Sequence, residues 1–395
     1  MTVRRQAPPL LAAATFALVA VAQGLAQEIA PTPAERRIAA ARKLTAAQPA
    51  RAQSHVELAA AFARRARETG RVEDYAQAAQ AVQRALALDP DAVEARKTEI
   101  WILLGQHRFA EALAKAEALN ARVPDDPTVY GLLADAYAEL GRYDDAEKAV
   151  QWMLDLRPGT VAALTRAAYL RELFGDLDGA VELMETAHDR TPPTETEERA
   201  WILVQLAHLR RTQGKLALAE ELAEQALRAF PTYHYALGEL AAVRSAQGRH
   251  DEAVVLLRRR LAVSPHPEHL FALGVELTRA GRKREAGSAF AEFTQAARAE
   301  SAAADNANRE LILYLVDYAR RPAEALEIAR REITRRRDIN TLDTYAWALS
   351  ANGLHRQAKT VIDEALAVGT KDSAILEHAR IIASRLAAPG DSAVR

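Results

Sequence analysis

The stretch Val129–Val150, VYGLLADAYAELGRYDDAEKAV, decides the fold. Small and apolar residues lead to a glycine at 141, and a tyrosine and an alanine follow at 143 and 146. Outward from this stretch the same landmarks recur. Pro90, Pro124, Pro158 and Pro192 stand 34 residues apart, and so do Pro231 and Pro265. Ala78, Ala112, Ala146, Ala180, Ala219 and Ala253 occupy the middle of successive units. Gly141, Gly175, Gly214 and Gly248 each precede one of these alanines by five residues. No segment carries a strand-like alternation long enough to compete.

Each landmark has a physical reason. Glycine accepts a left-handed turn at low cost. Alanine lets two helix backbones approach, where a larger side chain would overpack. Proline ends a helix because it cannot extend one without losing a hydrogen bond. A helix pair built this way exposes more apolar surface than it can bury, and stacking on the next pair covers the excess. The pattern resembles the tetratricopeptide repeat. Tyr130, Leu133, Ala134 and Tyr137 fit the first helix of that motif, and Gly141, Tyr143 and Ala146 fit its turn and second helix. The resemblance implies an all-α, right-handed superhelical solenoid of antiparallel helix pairs, with about nine units over residues 53–370. A helical lead-in is expected at 27–52, a capping helix at 371–387, and a disordered tail at 388–395.

Several units depart from the motif. Gly70 and Ala78 are eight residues apart, which predicts longer helices or a wider turn in the first unit. His107 replaces a turn glycine, five extra residues around Pro193–Glu197 precede the fifth unit, and Arg320 and Pro322 mark a degenerate turn.

Arg4 and Arg5, an apolar run from Leu10 to Ala22, and the small residues around Ala22 and Ala26 together read as a signal peptide over 1–26. The run is shorter than the roughly 20 residues that span a bilayer. A periplasmic or secreted protein without stable membrane insertion is therefore expected. Lys+Arg 52 against Asp+Glu 53 leaves no field of one sign to attract nucleic acid. With no cysteine there is no disulfide, thiolate ligand or thiol nucleophile.

Catalytic chemistry finds no foothold in this sequence. Phosphate loops, nucleophile elbows and HExxH motifs are missing. His266 and His269 flank Pro267 at a helix start, which reads as an inter-repeat turn rather than a metal site. The GDLDG stretch at Gly175 lacks the spaced oxygen ligands of a calcium loop. The arginine runs 258–260 and 335–337 end second helices, where cations complement the helix dipole. No enzyme activity, cofactor or metal is expected.

In the repeat family the first helices line a concave groove. The family's groove positions fall here on Trp101, Asp135, Tyr169, Trp201, His208, Tyr235, Phe271, Tyr314 and Trp347. Three of the four tryptophans are among them, and aromatic anchors are enriched at binding hot spots. The family's paired Lys and Asn clamp for a C-terminal carboxylate is lacking, because Gly131, Thr165, Val204 and Gly238 follow Lys97 at the same position of the unit. The expected partner is a protein or peptide, held by a non-catalytic scaffold whose rings face solvent. An accessory subunit of an enzyme complex and a glycan- or lipid-binding groove are the alternatives. The oligomeric state is not legible.

Overall fold

A computed structural model describes residues 31–387, so the expected signal peptide and C-terminal tail lie outside the described residues. Twenty α-helices follow, with no strand among the described residues. Helix α1 spans Pro33–Ala47. Nine antiparallel pairs come next: α2 (Ala52–Thr69) with α3 (Glu73–Leu88), α4 (Val93–Gly105) with α5 (Phe109–Asn120), α6 (Pro127–Glu139) with α7 (Tyr143–Leu156), and α8 (Val161–Leu173) with α9 (Leu177–Arg190). The series continues through α10 (Thr196–Thr212) with α11 (Leu216–Ala229), α12 (His234–Ala246) with α13 (His250–Val263), and α14 (Pro267–Arg279) with α15 (Lys283–Glu300). Then come α16 (Asn308–Asp317) with α17 (Pro322–Arg335) and α18 (Ile339–Ala351) with α19 (His355–Ala367), and α20 (Ser373–Ala387) closes the array.

The alanines act as the repeat logic requires. Ala78, Ala112, Ala146, Ala180, Ala219, Ala253 and Ala358 are all 0% exposed, each held between crossing helices. Most consecutive even-numbered helices touch one another, and they build the inner wall of the right-handed superhelix. The odd-numbered helices lie outside. The first unit has longer helices, 18 and 16 residues, with a left-handed Gly70 at the turn. Where the turn glycine is replaced, the backbone keeps its shape: His107 and Arg320 hold φ of 56° and 53°. Helix α1 is started by a reciprocal cap between Thr32 and Glu35, and the buried carboxylate of Glu68 accepts the Ala34 N–H at 3.1 Å.

The superhelix returns over itself. Tyr143 Oη accepts the Ile339 N–H at 2.9 Å, His107 pairs with Asp305 at 3.2 Å, and His234 Nε2 lies 3.1 Å from the Arg67 carbonyl. The five extra residues ahead of α10 make part of this contact. Glu195 meets Arg37 and Arg64 at 3.1 and 3.3 Å, and Glu197 pairs with Arg67. One hydrophobic cluster accordingly unites Ile100–Leu173 of the first turn with Phe293–Ile382 of the second.

Two turn glycines separate backbone strain from this docking. Gly141 and Gly248 have φ of 75° and 76°. A Cβ on Gly141 would lie 2.4 Å from the Arg337 carbonyl oxygen, whereas one on Gly248 would meet nothing within 4 Å. Gly248→Ala is expected to cost about 1–2 kcal/mol, the left-handed penalty alone. Gly141→Ala is expected to cost about 1–3 kcal/mol more, through overpacking between turns. Equal losses in denaturant titrations would mean that the two turns do not dock in solution.

Candidate functional site

Three neighbouring cavities lie along the inner wall, the outer two each sharing lining residues with the central one. The central one, of about 490 Å³, is lined by Tyr169, Glu172, His208, Tyr235, Glu239 and Arg260 from α8, α10, α12 and α13. Its far side is Arg309 from α16, Ile339 and Asn340 from α18, and residues 370–372 between α19 and α20. A cavity of about 580 Å³ beside α12 and α14 shares Gly238 and Arg260 with it and includes Phe271. A smaller one, of about 110 Å³, shares Tyr169 and includes Asp135 and Glu139. The central chamber therefore exists only because the second superhelical turn lies across the first.

Five of the expected groove residues come together here: Asp135, Tyr169, His208, Tyr235 and Phe271. Tyr169 and Tyr235 keep 41% and 36% of their surface exposed, so both rings are open to the chamber. Asp135 is engaged already, in a bidentate pair with Arg166 at 2.7 and 2.6 Å. Phe271 leans on Phe293 at 5.3 Å between centroids and on Tyr318 at 6.4 Å.

Of the other four rings, Trp347 is buried, while Trp101, Trp201 and Tyr314 are half-buried. Trp347 is 6% exposed: its Nε1–H donates to Asp317 at 2.9 Å, its ring stacks on His378 at 4.2 Å, and Arg385 lies 4.9 Å from its centroid. The closing helix α20 supplies His378 and Arg385, and so covers a ring that an internal unit would leave open. Trp101 is half-buried between two core clusters, and Trp201 is half-buried between two others. Tyr314 packs against Phe290 and Phe293. None of these four lines the three cavities.

Charge is arranged across the inner wall. His208 Nε2–H donates to Glu172 at 2.6 Å, while its Nδ1 accepts from Arg211 at 2.9 Å. Arg211 in turn binds Glu239 at 2.7 Å. Burial works against the imidazolium of His208, but Glu172 and Glu239 outweigh it and raise its pKa. Glu139 sits where Arg336 and Asp338 of the second turn approach. Burial in that cleft, reinforced by the Asp338 charge, pushes its carboxyl up to about 7. Arg336 stands 3.6 Å away and offsets the shift only in part. Among the described residues no group of three His, Cys, Asp or Glu side chains is placed to hold a metal ion. His269 instead turns Nδ1 to the Ser264 carbonyl at 2.7 Å.

Arg309, Asn340, Lys371 and Asp372 escaped the sequence reading, because they reach the chamber from another turn or from loops, and Arg260 was read only as part of a run that ends a helix. One signal was available. Glycine inside a helix costs about 1 kcal/mol relative to alanine, and Gly131 and Gly238 both stand inside first helices. A Cβ at Gly238 would come within 3.0 Å of the Arg260 guanidinium, and one at Gly131 within 3.3 Å of Arg166. Each glycine makes room for an arginine lying flat on the inner wall.

Comparison with known proteins agrees with this architecture. Tetratricopeptide repeat models match residues 103–169 and 210–273, and a second model of the same repeat matches 64–127. With nine stacked pairs around them, the chain is a solenoid of tetratricopeptide repeats, an architecture that fits a protein-interaction role. It is similar to anaphase-promoting complex subunit 3 of Schizosaccharomyces pombe, 25% identical over 189 residues, which are 47% of this chain and 27% of that protein. Among solved structures it is similar to the APC/C hetero-tetramer Cut9-Hcn1, with TM-score 0.51 and 14% identity over 82% of this chain and 55% of the other. A human IFIT1 dimer with m7Gppp-AAAA gives TM-score 0.55 and 17% identity, over 80% of this chain and 71% of that one. The chain thus spans about a quarter of the curated relative and about half of the first solved structure. At these identities the structural likeness is one of fold.

Two measurements check the site. Trp347→Ala is expected to lower stability by about 3–5 kcal/mol, as a buried ring does. Tyr169→Ala should stay within about 1 kcal/mol of wild type in the same thermal melts.

The second is the pH response of Glu139. Its carboxyl holds a proton more tightly in the folded chain than in the unfolded one, where the pKa is about 4.3. The resulting stability is complete below that ordinary value and is lost as pH rises through about 7. The side chain is 38% exposed, so solvent screens the effect, and about 1 kcal/mol is expected between pH 6 and pH 8. Glu139→Gln should remove that component, and an identical pH slope in wild type and variant would refute the assignment.

Proposed function

We propose that this chain is an exported, non-catalytic scaffold or adaptor that holds a protein partner on the concave face of its superhelix, in the periplasm or outside the cell. The observation that carries the reading is the run of neighbouring cavities along α6, α8, α10, α12 and α14, with the Tyr169 and Tyr235 rings open to it. Large aromatic surface left in a concavity is a common mark of an interaction site. Beside a few unpaired cations, the inner wall offers ion pairs and half-buried apolar side chains, which suit recognition better than bond making. The basic, apolar and small-residue order of residues 1–26 supports export. Among the described residues no helix is long and apolar enough to cross a membrane.

Affinity purification of the tagged chain from the periplasmic fraction, with peptide identification, tests the reading. Tyr169→Ala combined with Tyr235→Ala is expected to weaken capture of the main partner by at least about 2 kcal/mol while the melting temperature holds. Full capture by that double variant would move the partner to the convex face or the ends. Recovery of the precursor with Met1 intact, in the cytoplasm alone, would end the argument for export.

A further inference from the structure

We infer that the central chamber is a carboxylate-binding site for an acidic, extended segment of the protein partner, and that both superhelical turns build it. The inference rests on the scaffold reading above and names the chemistry of its ligand.

The balance of charge in the chamber is the starting point. Its three acidic side chains are already occupied. Glu172 accepts from His208, Glu239 accepts two bonds from Arg211 at 2.7 and 3.2 Å, and Asp372 caps α20 by accepting the Ala374 and Ile375 N–H groups at 2.9 and 3.0 Å. Its cations are not occupied in the same way. Arg309 and Lys371 have no hydrogen-bond or ion-pair partner among the described residues, and the Arg309 Nε is buried without an acceptor. Arg260 reaches only Glu268, at 3.5 Å, and its Nε is also buried and unsatisfied. Two guanidinium groups and an ammonium thus face one space in which every carboxylate is spent. A buried donor left without an acceptor is costly, and a charged one more so. A ligand carboxylate would satisfy these donors, with the fork of each arginine suited to bidentate pairing.

The shape argues for a peptide. The three neighbouring cavities cross the inner faces of five first helices. At roughly 8–10 Å between packed helices, that run accommodates about ten residues of extended chain. Tyr169 and Tyr235 line the same cavity as Arg309 and Lys371, so an acidic segment held by the cations would lay its side chains or backbone on the rings. The site is also composite. Tyr169 and Glu172 belong to the first turn, while Arg309, Asn340 and Lys371 come from the second. Separating the turns would disperse the cations without removing one of them.

The test uses the full chain and a fluorescein-labelled acidic decapeptide carrying two tyrosines, with its lysine counterpart as control. Fluorescence anisotropy should show binding of the acidic peptide only, weakening as salt is raised. Arg309→Ala with Lys371→Ala should weaken it about tenfold or more, and Arg309→Lys with Lys371→Arg should restore most of the loss. Gly141→Ala, which opens the contact between turns and leaves all three cations in place, should weaken it as well. Equal affinity for both peptides, or unchanged affinity in the double alanine variant with an intact fold by circular dichroism, would overturn the assignment. Capture of the native partner separates this failure from that of the scaffold reading. A partner retained by the double alanine variant refutes the chamber and leaves the scaffold standing. A wild-type chain that binds the acidic peptide but captures no partner refutes the scaffold and leaves the chamber's chemistry in place.

Discussion

Everything in this molecule follows from the close approach of helices at fully buried alanines. Where Ala112, Ala146, Ala180 and their counterparts sit, no side chain holds two backbones apart, so each pair packs on the next with nearly the same rotation. A constant rotation accumulates. After several units the chain has come round far enough for Ser264, Asp305, Arg337 and Gly369 to meet Gly70, His107, Gly141 and Gly175. The offset along the chain is nearly the same in each of these encounters, as a regular superhelix requires. The second turn can approach this closely because several of the meeting points are glycines, and the backbone itself forms the contact surface.

That docking changes what the concave face is. An open array would offer a long trough walled by first helices alone. Here Arg309, Asn340 and Lys371 of the second turn line one cavity with Tyr169 of the first and convert part of the trough into a chamber. Acidic residues ahead of α10 contribute to holding it shut, through Glu195 and Glu197 against Arg37, Arg64 and Arg67. The Glu195 pairs are partly exposed and add little stability singly, whereas Glu197 is buried against Arg67, and the turns also share a hydrophobic cluster and the Tyr143–Ile339 hydrogen bond. A few weak contacts repeated along a regular interface are enough to set its register.

The inner wall shows how a repeat can vary while its frame does not. Position by position the frame residues are small and buried. The groove residues between them carry an aspartate, a tyrosine and a histidine at equivalent places, Asp135, Tyr169 and His208. Two of the units add a helical glycine that accepts a neighbouring arginine, at Gly131 and Gly238. In the first, Arg166 is neutralised by Asp135. In the second, Arg260 has only a distant glutamate, and the difference gives the chamber its unsatisfied donors.

The order of helices, their pairing, the buried alanines and the left-handed turns were all legible in the sequence. Each depends on residues within one unit or its immediate neighbour, and the repeat states them many times over. Asp135, Tyr169, His208, Tyr235 and Phe271 were legible as groove residues for the same reason. Trp347 was not, because its cover comes from His378 and Arg385 on a closing helix that no internal unit has. Nor was the chamber, whose walls lie far apart in the chain. The sequence by itself determined the local rotation from pair to pair. Only the tertiary structure decided where that rotation brings the chain back onto itself, because small angles summed over many units are not written in any one of them.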